Sequence, residues 1–591
     1  MPAFDTIIKD GTIVDGTRLP RYRGDVGIKD GTITEVGKLR PSDAATVLDA
    51  SGLVVAPGFI DTHTHYDGQI QWDPYCTGSA WHGVTSVVIG NCGFGFAPVQ
   101  PDARERAMLM MSRNEQIPYA TLEAGMLWDW VTYPEFLDSL DRIPKGVNCV
   151  SLVPISPIMV WVMGLEGAKS GRAPTDDETV EMQRILDEGL DAGGCGFGVQ
   201  RLGEYSNQAD FDGSPMPTDV MGDELILAFG EVCRRRGEGT IMLAEAVFPD
   251  PEVLKSGGDI VEILVSAQER FLRFEEQLAV SSERPVVHNI VVPVDDFPDA
   301  HRSRLRWLED CHNRGVRIYG QGNTIRNFLI FRLENFTFFD SSRAWAEAFI
   351  GGDRARILER LADPDLRARI RAEEMMMVKE VVGGSLENVT VFSVGDHPEL
   401  ERYVGERVGD IAAEQGKPCL DTMLDLSVDG GLDVEFRAKS FGGTSAEMLG
   451  EVARSPYVIP GISDGGAHTK FLVGASYPTE LLAWLVRDEE QLSLEDAHWH
   501  LSHLPAHVYG LKDRGVVREG ARADLVVYDL ERLAQVPETE FEIAHDFPAG
   551  EWRRIQRADG YRWILVNGEV TFEDAACTNA TPGRLLRHGA G

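Results

Sequence analysis

Between residues 57 and 514 the chain alternates short apolar runs of strand character with longer amphipathic stretches of helical period, and this alternation restricts it to βα units around a parallel sheet. The runs are Gly58 to His63, Thr85 to Gly90, Val147 to Pro154, Gly194 to Gln200, Thr240 to Ala244, Pro285 to Ile290, Val316 to Tyr319 and Val458 to Ser463. Eight βα units make a closed (β/α)8 TIM-like barrel the economical α/β arrangement. Residues 326–456 separate the last two runs and include an Arg/Glu-rich helical pattern from Ala344 to Lys379. A structureless loop of that length is not expected, so this stretch is read as a folded insertion or lid before the eighth strand. Residues 1–56 and 515–591 share a different texture, short β-type runs broken by DG, GT and NG turns. They are expected to form one composite β-sandwich, leaving 57–514 as the barrel domain.

The 591 residues carry 57 Lys+Arg against 94 Asp+Glu, a formal net charge of −37. That charge repels the phosphates of nucleic acid and of anionic membranes, so neither is an expected partner. The most apolar region, Val147 to Leu165, is interrupted by Asn148, Pro154 and Pro157, and the start MPAFDTIIKDG has no basic segment leading into an apolar one. A cytoplasmic protein acting on a small molecule is expected, with a homo-oligomer left open. Eight cysteines without a CxxC or a repeated spacing argue against a disulfide framework and leave a reactive or metal-binding role for any special one.

His63 and His65, in PGFIDTHTHYDG, follow the first strand run. In an extended chain residues two apart face the same way, so both imidazoles can chelate one metal at the strand's C-terminal end, where barrel active sites form. The bland alternative is an ordinary pair of core or surface histidines.

PGFIDTHTH, GVTSVVIGNCG, SDGGAH and GARADLVVYDL, behind a β-rich prelude, together resemble the amidohydrolase superfamily, specifically its N-acyl-D-amino-acid deacylases (the D-aminoacylase-like branch). The likeness runs from about residue 4 to Arg587 and is weakest over 326–456. It implies a zinc-dependent amidohydrolase with one or two Zn2+ per chain that cleaves the non-peptide C–N bond of an N-acylated small molecule. His63 and His65 match the family's metal-binding HxH. Cys92 in GNCG matches a cysteine ligand, against the alternative of a small buried core residue. His288 in PVVH matches a sixth-strand ligand, although a lone histidine at a strand end is commonly structural. Asp464 in SDGG matches the catalytic carboxylate, implied to ligate and to act as general base and acid during attack by metal-bound hydroxide. An SDG is equally an ordinary turn.

Two departures stand out. The resemblance calls for a fifth-strand histidine, yet no histidine occurs between His82 and His288; the run there reads TIMLAEAVF, and Glu245 is either a replacement ligand or an ion-pair partner. The third-strand stretch VPISPIMVWVMG, with Ile155 and Met159, lacks the His and Arg of a GHSxxR-like segment, so specificity for acyl-D-amino acids is not carried over. A carboxylated lysine bridge is not expected, since Lys145, Lys169 and Lys255 lie off the strand runs. Tyr66, Arg201 and His468 are candidate substrate contacts, Asp67 and Lys470 lesser ones, and His498, His500, His503 and His507 are read as structural. Hydrolysis of a cyclic amide or lactone, and a non-catalytic homologue that has lost its metal, are the alternatives.

Overall fold

The computed structural model describes residues 2–246, 260–295, 297–377, 382–439 and 442–589 of a mixed α/β chain. Val247 and Phe248 of the fifth run, Lys255 and Lys379 lie outside them. Each of the eight apolar runs contains a strand, and all pair in parallel. Phe59–Asp61, Val84–Ile89 and Asn148–Ser151 form one sheet; Val153–Pro154, Gly196–Arg201, Thr240–Glu245, Val286–Val291, Ile318–Gly322 and Val458–Pro460 form a second in that order. The third run is split at Leu152, where Leu152 N donates to Ile89 O (2.9 Å) and Cys195 N to Ser151 O (2.9 Å), so hydrogen bonding continues across the break. At the other end His65 N donates to Gly465 O (2.7 Å) and Thr64 bridges Gly465 in parallel, linking the residues beyond the first and the eighth strands. VTSVVI is buried at every position, as expected of a strand covered on both faces.

Helix boundaries follow local chemistry. Thr175 caps Asp176–Asp191 with Glu178 reciprocating in a capping box, and three acidic residues occupy the first turn, where they complement the helix dipole. Asp223–Arg236 ends in three arginines and then Gly237 at φ 71°.

The two chain ends form one nine-stranded sheet. Val54–Pro57 pairs in parallel with Phe4–Ile13 on one side and antiparallel with Leu525–Tyr528 on the other. One face carries its own apolar cluster, including Ile8, Ile28, Val55, Leu525 and Trp563. Between the seventh and eighth parallel strands lie a three-stranded antiparallel sheet (Phe328–Phe331, Glu435–Lys439, Thr390–Ser393) and several helices, packed around a separate core with Phe331, Trp345, Leu424 and Phe436. Among the described residues, no helix is long and apolar enough to cross a membrane.

A buried polar knot fastens the terminal sheet to the parallel one. Asp524 Oδ2 accepts from Arg514 Nη1 and from Asn148 Nδ2 (3.0 Å), Asp524 Oδ1 accepts from Asn567 N (2.6 Å), and Asn567 Nδ2 donates to Asn148 Oδ1 (2.8 Å). Removing one member strands the others in low dielectric, typically at about 3–5 kcal/mol. Asp524→Ala is therefore expected to lower unfolding free energy by about 3–5 kcal/mol in urea denaturation. A loss below about 1 kcal/mol would show that the knot does not hold the sheets together.

Candidate metal centre

The HxH, the GNCG loop and the SDGG loop follow the first, second and eighth parallel strands, so strand polarity brings all three to one end of the sheets. His63 Nε2 lies 3.5 Å from Cys92 Sγ and 3.4 Å from Asp464 Oδ1, and His65 Nε2 lies 3.8 Å from the same oxygen. His63, His65 and Cys92 are the one group among the described residues with three donor atoms spaced to hold a metal, all within 4.8 Å of one another and all buried. Ligands about 2.0–2.3 Å from a tetrahedral zinc stand about 3.3–3.8 Å apart, a range that the separations of His63 Nε2 from Cys92 and Asp464 and of His65 Nε2 from Asp464 match.

The backbone is constrained to produce this convergence. Cys92 and Asp464 both sit in the left-handed region, at φ 57° and 44°, which is unfavourable for a residue with a Cβ. Gly90 and Gly93 flank the cysteine at positive φ, and a Cβ on either would overlap Leu152 O or Gly198 O, so the loop lies directly on neighbouring backbone.

Orientation comes from amides on the sixth and seventh strands. Gln321 Oε1 lies 2.9 Å from His63 Nδ1 and accepts from Asn289 Nδ2 (3.1 Å), and Asn289 Nδ2 stands 3.1 Å from the same ring nitrogen, so the two amides hold the imidazole from its Nδ1 side with Nε2 toward the cluster. Glu115, 1% exposed, places Oε1 3.7 Å from His65 Nδ1 and Oε2 3.9 Å from His468 Nε2, and its backbone carbonyl accepts from His468 N (2.7 Å).

Electrostatics around the cluster are strongly acidic. Burial pushes the carboxyls of Asp61 and Asp67 up to about 7, and burial with Asp464 and Asp67 nearby raises that of Glu115 well above the usual range. Burial and the carboxylates Glu115 and Asp464 likewise raise the Cys92 thiol, whereas burial with His63 and His468 beside it lowers His65. A cation would oppose burial at the thiol, favouring the thiolate, and would act with burial in keeping the His65 imidazole neutral, a donor set suited to zinc. The adjoining cavity, about 180 Å3, is lined by His63, His65, Cys92 and Asp464 together with Gln200 and Phe338, and carries no arginine or lysine among the described residues.

Not every candidate converges. His288 stands beside Asn289 on the sixth strand but donates from Nδ1 to Glu275 (2.8 Å) and packs edge-on against Trp307 at 5.3 Å, both on the flanking helices. Glu245 pairs with Arg201, its cross-strand partner (Nε to Oε1 2.8 Å), and Arg201 also pairs with Asp223. Neither belongs to the three-donor group, and Arg201 does not line the cavity. Tyr66 bonds Ser79 Oγ (2.9 Å) beneath the Asp464 loop, while His468 lines the cavity against Phe338. Lys470 pairs with Glu551 (2.8 Å), Lys169 with Asp210 (2.6 Å), and Lys145 donates to Ile143 O (2.7 Å). His498 bonds Tyr528 OH (2.7 Å) and His500 bonds Val458 O (2.9 Å), both buried. Glu115, Gln321, Asn289 and Gln200 escape sequence reading because no motif surrounds them; the amides on strands could be found only from the register of those strands.

The amidohydrolase family model matches residues 46–192 and 338–572. Over 99% of its length the chain is 28% identical to an uncharacterized protein of Mycobacterium tuberculosis, covering 96% of it, and 26% identical to the D-aminoacylase of Alcaligenes xylosoxydans xylosoxydans, covering 98% of it. Among solved structures, a D-aminoacylase aligns over 99% of this chain and 100% of its own at TM-score 0.64 and 23% identity. The N-acyl-D-glutamate deacylase from Bordetella bronchiseptica, complexed with zinc and a phosphonate inhibitor, aligns over 99% of both chains at TM-score 0.64 and 22% identity. With the family model spanning well over half of the sequence, the protein belongs to the amidohydrolase family and is a hydrolase acting on amide carbon–nitrogen bonds.

Proposed function

We propose that this hydrolase is a zinc-dependent deacylase that removes the acyl group from an N-acylated small molecule. The observation that carries the reading is the grouping of His63, His65 and Cys92 as three buried donors, with Asp464 Oδ1 beside both imidazoles. The proposed architecture is a (β/α)8 barrel over 57–514, closed between the eighth and first strands through the Thr64 bridge to Gly465, with a composite β-sandwich from 1–56 and 515–591. Residues 326–456 are read as an insertion that shapes the pocket, supported by Phe338, which lines the cavity.

His63, His65 and Cys92 would hold the metal, with Asp464 adjacent, and His288 and Glu245 stay outside the set. One ion is favoured by the single donor group among the described residues, and a solved D-aminoacylase with a binuclear centre is described as activated by one metal and attenuated by the second. When bound, the metal supplies polarisation of the scissile carbonyl and acidification of the attacking water. Asp464, its side chain 17% exposed at the cavity, takes the proton from that water and returns it to the leaving nitrogen. Gln321 keeps the His63 ring oriented. Gln200 Nε2, buried without a partner among the described residues, is available to donate to a substrate oxygen, and Phe338, Ile290 and Ile462 provide apolar wall for the acyl chain.

Three results are expected. Zinc-loaded enzyme releases amine from members of a panel of N-acyl-amino acids of both configurations; no turnover on any member would contradict the deacylase reading. Asp464→Asn keeps its metal and loses about 10²–10⁴-fold in kcat, and near-normal turnover would remove Asp464 from the proton transfer. Elemental analysis finds the bound zinc lost in Cys92→Ala but retained in His288→Ala and Glu245→Gln; the reverse pattern would reassign the ligands.

A further inference from the structure

A second large cavity, about 930 Å3, opens at the opposite end of the parallel strands. It is lined by Thr240, which begins the fifth strand, and by Pro285 and Arg317, which precede the sixth and seventh; the metal cluster follows strand C-termini. At about 3.3 Å per residue, a six-residue strand separates the two sites by roughly 20 Å. Its far wall is the C-terminal tail, held by hydrogen bonds from Leu586 N to Cys149 O (2.8 Å) and from His588 N to Gly193 O (2.9 Å).

The lining inverts the charge of the chain. Acidic residues outnumber basic ones 94 to 57 overall, yet here eight arginine and lysine residues face three carboxylates, Asp141, Glu238 and Asp513. Several of these cations are already paired, Arg236 with Asp187 and Asp191, Arg514 with Asp524, and Arg587 with Asp138. Four are not: among the described residues Arg284, Arg317, Lys512 and Arg584 form no ion pair. Arg284 Nη1 donates to Gly237 O and Arg317 Nη2 to Glu283 O, while Arg284 Nε is buried with no partner. Burial and the adjacent Arg317 pull the Arg284 guanidinium's pKa down, against the opposing effect of Cys233, Glu283 and Glu238. Arg284 is half-buried and Arg317, Lys512 and Arg584 are exposed where the cavity opens, and guanidinium groups without a carboxylate partner select anions whose oxygens accept two parallel N–H bonds. The four come from three segments, the strand entrances, the loop before the terminal sheet and the tail, so an anion that engages all of them presents more than one phosphate group.

We infer that this cavity is a binding site for a small anion carrying two or more linked phosphate groups, which joins the C-terminal tail to the strand entrances.

Calorimetric titration of the full-length, zinc-loaded chain with sodium tripolyphosphate tests this. One saturable site per chain is expected, weakened at least tenfold in the double variant Arg284→Ala/Arg317→Ala. The double variant Lys512→Ala/Arg584→Ala alters exposed side chains only, and a similar weakening is expected there even if the first variant folds poorly. Chelation of zinc by the probe would appear equally in all three proteins and is thereby separated from binding in the cavity. ATP binding tighter than tripolyphosphate would assign the site to a nucleotide, and equal binding would assign it to the phosphate chain alone. Absence of saturable binding, or unchanged affinity in both double variants, would overturn the inference.

Discussion

The buried carboxyl groups at one end of the parallel strands impose the constraint around which the site is built. Asp61, Asp67 and Glu115 are each at most 2% exposed, and Asp464 lies over them at the cavity. Ionised carboxylates taken out of water are strongly disfavoured unless positive charge is close. No arginine or lysine among the described residues lines the cavity that Glu115 and Asp464 share, and burial pushes the imidazoles of His65 and His468 toward neutrality. A divalent ion held between His63, His65 and Cys92, as proposed, would meet this requirement and would convert a thiol that burial keeps protonated into a ligand.

Around that requirement the scaffold spends conformational freedom. Cys92 and Asp464, whose side chains approach His63 at Nε2, adopt left-handed backbone, and glycines beside the cysteine allow its loop to rest on the next strands. Such strain persists where surrounding structure over-determines it. Here the hydrogen bonds from Ser463 Oγ to His63 O (2.8 Å) and from His65 N to Gly465 O (2.7 Å) tie the SDGG loop to the HxH segment. The amides of Gln321 and Asn289 then set the imidazole.

Much of this was legible in the sequence because it is local. The βα alternation marked a strand within every one of the eight apolar runs, and short contiguous motifs, HTH, GNCG and SDGG, carried the residues that converge. What was not legible depends on pairing between distant strands. Arg201 and Glu245 are cross-strand neighbours, so a carboxylate that reads as a replacement ligand is engaged by a guanidinium 44 residues earlier. On the sixth strand alternation decides the outcome: Asn289 bonds the Gln321 amide that orients His63, while His288, one residue earlier, turns to Glu275 and Trp307. Glu115 ends up at the cluster through the packing of a helix terminus that no motif announces.

The central claim is that one metal sits between two histidines and the Cys92 thiolate. X-ray absorption at the zinc edge of the loaded protein tests it most directly, because sulfur and nitrogen scatterers differ in distance and amplitude. One sulfur at about 2.3 Å with nitrogen and oxygen neighbours at about 2.0–2.2 Å is expected. A first shell of nitrogen and oxygen alone would contradict it.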